Sequence, residues 1–210
     1  MDFLKAPILV LALLSDLNMA VGATIDDFLR EPSRPPNIAL SKGDFDQLLV
    51  RAEAGDIEAQ YLMGNAYYNG DFVWQGEPIW PQSVSEARKW WLLSAEKGHS
   101  KSQFWLGEMS ATGIGIPENY SDAFKWYKLS ALNGFSFAQY KLGELYMSGR
   151  GATQDEVRAY MWFSIAAAQQ SLRGRTARDE IRSRLAPQAL EQAQALAKKC
   201  FESNYTDCGE

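Results

Sequence analysis

Ala87-Arg88-Lys89-Trp90-Trp91-Leu92-Leu93-Ser94-Ala95-Glu96-Lys97-Gly98 decides the fold, because the chain repeats it as Ala123-Phe124-Lys125-Trp126-Tyr127-Lys128-Leu129-Ser130-Ala131-Leu132-Asn133-Gly134 and again, more loosely, from Ala159 through Trp162-Phe163 to Ala167. The copies stand 36 residues apart, and the third ends on Gln170 where the others carry glycine. A fixed period of roughly 20 to 50 residues marks supersecondary units stacked in a row. A second block, Ala59-Gln60-Tyr61 with Gly64 and Gly70, returns as Ser102-Gln103-Phe104 with Gly107 and Gly113. It returns again as Ala138-Gln139-Tyr140 with Gly143 and Gly149, at spacings of 43 and then 36. The 7 extra residues fall in 71–82, a stretch rich in Gly, Pro and Trp that reads as a loop insertion.

Apolar residues in both blocks recur at i, i+3, i+4 and i+7, the helical period, so each copy is expected to be a helical hairpin. Ser83 with Glu86, and Asn119 with Asp122, have the spacing of a cap followed by an acid in the first turn. Gly98 and Gly134 fall where the second helices should end, a position that often requires a left-handed backbone. Small residues at Ala59, Gly64, Ala87 and Ala95 mark points where one helix presses on the next. Gly113-Ile114-Gly115 and Gly149-Arg150-Gly151 occupy one register, so they are turns within the hairpins rather than phosphate-binding loops.

The alternation Ala-Gln-Tyr-x-x-Gly-x-x-Tyr-x-x-Gly, followed by Ala-x-x-Trp-aromatic-x-x-x-Ala, resembles Sel1-like repeats, relatives of the tetratricopeptide repeat. The resemblance implies an all-α, right-handed helical-hairpin solenoid with atypical capping helices. Its repeats would cover 56–98, with the inserted loop 71–82, then 99–134 and 135–171. Segment 44–55 reads as a lone N-terminal capping helix, and 172–210 as capping helices, the last beginning at Pro187. End units of a solenoid need a polar outer face. Arg173, Arg175, Arg178, Arg182 and Arg184, interleaved with Asp179 and Glu180, suit a solvated cap helix.

Residues 1–23, with Lys5 ahead of an apolar run and small residues at Ala20, Val21, Gly22 and Ala23, resemble a secretory signal peptide; the alternative is a buried N-terminal helix. The run is too short to span a bilayer, so no stable membrane insertion is expected once it is removed. A Pro-containing linker follows at 24–43. A periplasmic or secreted location would let Cys200 and Cys208 pair, closing the tail; two free thiols are the alternative. With His99 the single histidine, a zinc site and a general acid–base pair both lack partners, and no nucleophile-elbow, phosphate-loop or dinucleotide motif occurs, so no catalytic residue, metal or cofactor is expected. A net charge of −5 without a basic run argues against nucleic acid.

Stacked hairpins curve, and the first helix of each unit lines the concave face. The tetratricopeptide resemblance implies groove positions at Glu58, Tyr61, Asn65 and Tyr68; at Lys101, Phe104, Glu108 and Ala111; and at Phe137, Tyr140, Glu144 and Met147. Each set runs i, i+3, i+7, i+10 and presents aromatic residues beside charges, a surface suited to a protein or peptide partner. Recurrence of Tyr61, Phe104 and Tyr140 also fits a packing role. Trp74 and Trp80, in the insertion, form a second candidate contact surface or a plug between repeats one and two. The expected function is an exported adaptor or scaffold that binds another protein in the cell envelope. A cell-wall hydrolase acting on peptidoglycan or a β-lactam is the alternative.

Overall fold

The computed structural model describes residue 35 and residues 42–70, 73–74, 77–78 and 82–209. Segment 1–23, read above as a signal peptide, lies outside them, as does all but Pro35 and the last two positions of the linker at 24–43. The described residues form nine helices: α1 Lys42–Glu53, α2 Ile57–Asn69, α3 Val84–Glu96, α4 Ser100–Thr112, α5 Tyr120–Leu132, α6 Ser136–Ser148, α7 Glu156–Ala168, α8 Leu172–Arg182 and α9 Pro187–Glu202. Hairpins α2–α3, α4–α5 and α6–α7 are the three repeats, and each packs on the next. The architecture is an all-α solenoid. The insertion departs from the plain loop expected there. It contains a minimal antiparallel pair, β1 Val73–Trp74 and β2 Glu77–Pro78, with Val73 opposite Pro78 and Trp74 opposite Glu77. This register leaves two residues between the strands, the loop length that joins antiparallel strands most directly.

Local chemistry sets the helix ends. Asp56, Ser83, Asn119, Asp155 and Ser171 each accept a first-turn backbone N–H with a side-chain oxygen. Gly98 and Gly134, which follow α3 and α5, have φ of +89° and +81°. At the matching place after α7 stands Gln170, forced to φ +66°. An L residue with a Cβ pays roughly 1 kcal/mol or more in that region, so Gln170→Gly is expected to raise the unfolding free energy by about 1 kcal/mol, measured by urea denaturation.

The repeat glutamine has a structural task. Gln60, Gln103 and Gln139 each donate through Nε2 to the carbonyl of Ala52, Ala95 and Ala131, near the end of the preceding helix, at 3.0, 3.0 and 3.2 Å. Asn133 and Gln169 in turn donate to Gln103 Oε1 and Gln139 Oε1. In repeat one the matching residue is Lys97, which donates to the Gly55 carbonyl instead, and Gln60 Oε1 is left without a partner.

The core is a column of close contacts. Trp91, Tyr127 and Phe163, from the second helix of each repeat, are all but fully buried. Each ring lies against a glycine of the first helix. A Cβ added at Gly107 would stand 2.6 Å from the Tyr127 ring, one at Gly143 2.6 Å from the Phe163 ring, and one at Gly64 closer still to Trp91. Ala59, Ala87 and Ala95 are buried as expected. At the far end α9 packs on α7, and the Cys200–Cys208 disulfide folds residues 203–208 back over it, with both sulfurs buried. This seats Tyr205 on the turn at Gly134, where its hydroxyl accepts from Gln169.

Candidate partner-binding face

Each four-residue set divides along its length. Glu58 and Lys101 are exposed, and Tyr68, Glu108, Ala111, Phe137, Tyr140, Glu144 and Met147 are half-buried. Tyr61, Asn65 and Phe104 are corrections: they are 3%, 0% and 0% exposed and cannot meet a partner. Close approach of the second helix, which glycine permits, causes this. Asn65 Oδ1 accepts from Trp91 Nε1 at 3.1 Å, and Phe104 is enclosed by Trp105, Tyr127, Phe135 and Phe137. Of Trp74 only the backbone, in β1, is described, and Trp80 lies outside the described residues.

A chain of polar contacts crosses the face between α4 and α6. The Tyr127 hydroxyl reaches through from α5 and donates to Glu108 Oε1. Lys141 Nζ stands 4.0 Å from Glu108 Oε1 and 3.3 Å from Glu144 Oε2, so one ammonium bridges two carboxylates. The Tyr140 hydroxyl donates to Glu144 Oε1 at 2.8 Å. Burial, then the adjacent carboxylates, push both tyrosine hydroxyls well above the usual phenol range. They remain hydrogen-bond donors near neutral pH and hold Glu108 and Glu144 in place. Asn65 with Trp91 and Glu108 with Tyr127 are thus the same contact in successive repeats. Phe163 lacks a polar atom, and Glu144 turns to Tyr140 instead.

At the repeat-one end, His99 caps α4. Its Nδ1 accepts from the Ser102 N–H at 3.3 Å, while Nε2 lies 3.2 Å from Glu58 Oε2 and the ring is 4.6 Å from that of Tyr61. The Lys101 ammonium lies 5.7 Å from the Tyr61 ring centroid. An acceptor at Nδ1 requires the neutral ring, with its proton on Nε2 facing Glu58. Burial lowers the His99 pKa, Glu58 opposes that shift, and Lys101 adds to it. A lowered folded-state pKa means that this stabilisation is present above the unfolded value of about 6.5 and is lost as pH falls through the folded value. Thermal melting between pH 7 and 5 is expected to show a decline in midpoint that is smaller in His99→Asn, which keeps a capping acceptor but cannot titrate.

One element of the face is not evident from the repeat motif. Helix α8 continues the register as a fourth first helix, with Gly174, Glu180 and Ile181 standing 36 residues after Ala138, Glu144 and Leu145. Gly174 is buried, and a Cβ there would meet that of Ala166 at 2.8 Å. Arg173, Arg175, Arg178 and Arg182 therefore lie on a helix that also builds the face, beyond a solvated cap. Tyr140, Leu172, Arg173, Thr176, Ala177 and Glu180 line a cleft between α6 and α8. The 36-residue series Glu108, Glu144, Glu180 was the sequence signal for it. Among the described residues no group of three or more His, Cys, Asp or Glu could hold a metal ion, and no helix is long and apolar enough to cross a membrane.

The Sel1 repeat model matches residues 57–99, 100–135 and 136–171 in succession. Among solved structures, a Sel1 repeat protein from Oxalobacter formigenes is 34% identical, with a TM-score of 0.59, over 65% of this chain and 98% of its own. The protein c5321, a protective antigen present in uropathogenic Escherichia coli strains displaying an SLR fold, is 27% identical with a TM-score of 0.68 over 80% of this chain. This chain spans 36% of the length of that antigen. No match is found among curated proteins.

Proposed function

The chain belongs to the Sel1 repeat family, whose repeats mediate protein–protein interaction, and on that basis we propose that it is an exported adaptor holding a segment of another protein on its first-helix face. The bridged array of Glu108, Lys141, Glu144 and Tyr140 carries this reading. It fixes partly exposed charges of both signs, with Glu144 the most accessible at 39%, on helices beside the aromatic Phe137 and Tyr140, so a partner meets them already ordered and loses less entropy on binding. Export is supported by the Cys200–Cys208 disulfide, because such bonds persist in oxidising compartments. No observation favours the hydrolase alternative.

Charge reversal tests the surface. The full mature chain is used to capture partners from an envelope extract, comparing Lys101→Glu/Glu144→Lys on the first-helix face with Lys89→Glu/Lys125→Glu on the second helices. Lys89 and Lys125 are 67% and 68% exposed and pair only within their own helices, with Glu86 and Asp122. The first variant is expected to lose a partner that the second retains at least tenfold better; equal retention would place the interaction elsewhere. Alkylation of the denatured protein taken from cells should find no free thiol if the chain resides in an oxidising compartment.

A further inference from the structure

The junction between α4 and α6 is filled by the chain itself. Phe137 packs on Phe104 with ring centroids 6.4 Å apart, and the Lys141 ammonium lies between Glu108 and Glu144. Advancing each position by 36 residues gives the junction between α6 and α8: Glu108 becomes Glu144, Glu144 becomes Glu180, Phe104 becomes Tyr140, Phe137 becomes Arg173, and Lys141 becomes Ala177. Both carboxylates recur, but the position that supplied the bridging ammonium now ends at a methyl group. The space is an open cleft of about 340 Å³. Leu172, 58% exposed, lines the cleft together with Tyr140. Arg173, two turns before Glu180 on the same helix, lines the cleft and has interactions of its own.

We propose that the cleft between α6 and α8 receives a lysine or arginine side chain from a segment of the partner protein, in the place that Lys141 fills one repeat earlier. This rests on the first-helix face being the partner surface, and it specifies what that surface selects. The aliphatic stem lies along Leu172 and the Tyr140 ring, as long basic side chains do on apolar surface. The cationic head meets the Glu180 carboxylate at the end of the cleft. Glu144 is already committed on both oxygens, Oε1 to the Tyr140 hydroxyl and Oε2 to the Lys141 ammonium, so the Glu180 carboxylate, which lines the cleft, supplies the charge.

The repeat itself supplies the decisive variant. Ala177→Lys restores the residue type of position 141 and fills the cleft from within, on an exposed-edge helix where lysine is a good helix former. Random heptapeptides displayed on phage are selected against the wild-type chain, and a recovered peptide is then titrated by fluorescence anisotropy. The expected result is enrichment of lysine or arginine at one peptide position, with binding weakened at least tenfold by Ala177→Lys and by Glu180→Gln. Ala195→Lys, which adds the same charge on the exposed surface of α9, should change it less than twofold, and thermal melting confirms that each variant is folded. Peptides that lack a basic residue, or that are selected for an acidic one captured by Arg173, overturn the inference while leaving the broader reading intact. So does a basic peptide that binds Ala177→Lys as tightly as wild type. Failure to select any peptide, together with a partner retained equally by both charge-reversal variants, overturns both.

Discussion

Gly64→Ala is expected to lower the unfolding free energy by about 2 kcal/mol, and Gly107→Ala and Gly143→Ala by about 1 to 2 kcal/mol each, although alanine is the better helix former. Two effects oppose one another at these sites. Replacing glycine by alanine inside a helix gains up to about 1 kcal/mol from propensity. Overpacking a filled core costs about 1 to 3 kcal/mol. The second effect dominates because the added methyl meets an aromatic ring with no room to withdraw. Trp91, Tyr127 and Phe163 are 0%, 1% and 0% exposed. Trp91 is also tied to Asn65, and Tyr127 to Glu108. For a chain of this size the loss corresponds to a fall in melting temperature of roughly 4 to 8 °C for Gly64→Ala. Calorimetry or urea denaturation reads both the size and the sign. Unchanged or increased stability would mean that the rings do not press on the glycines.

Removing the disulfide is the other large effect. Cys200 and Cys208 close a loop with a sequence separation of 8, and in the chain-entropy picture a closure this short stabilises by about 2 to 3 kcal/mol. Cys200→Ser/Cys208→Ser is expected to lose that amount. The loss arises from the freedom that the unfolded chain regains; in the folded protein Tyr205 no longer has to sit on the Gly134 turn or accept from Gln169, and the end of α9 loosens. Addition of dithiothreitol should lower the melting temperature of wild type to that of the double variant and leave the variant unchanged. A reductant effect in the double variant would show that the thiol pair is not its target. Because α9 packs on α7, away from Glu108 and Lys101, partner binding at a temperature where both forms are folded should be the same.

The 36-residue register made the hairpins, the caps at Ser83 and Asn119 and the close approach of helices at Gly64 legible, because each is a local rule repeated. What stayed hidden depends on angle and on neighbours. Positions i, i+3, i+7 and i+10 span roughly 80° of a helix with 3.6 residues per turn, too broad a stripe to be wholly exposed. Its trailing side turns toward the second helix: Tyr68, Phe104 and Tyr140 meet Trp91, Tyr127 and Phe163 at 5.4, 5.9 and 5.6 Å between centroids. Asn65 follows Trp91 inward because the indole N–H needs an acceptor once buried. Helix α8 was masked by chemistry. Ala138-Gln139-Tyr140 is replaced by Gly174-Arg175-Thr176, and Asp179 stands at the register of Gly143, so the motif vanishes while the acid series persists. The paired strands of the insertion are two residues each, too short for an alternating pattern to show.

The most direct measurement is site-specific photocrosslinking with benzoylphenylalanine placed at Lys101, on the exposed first-helix face, and separately at Lys125, on the outer side of α5. Both positions are exposed and tolerate a large side chain. If the first-helix face holds the partner, the variant at Lys101 should give a single adduct with the protein retained in affinity capture, and the variant at Lys125 should give none. An adduct of the same protein from Lys125 alone would contradict the account and place the interface on the second helices.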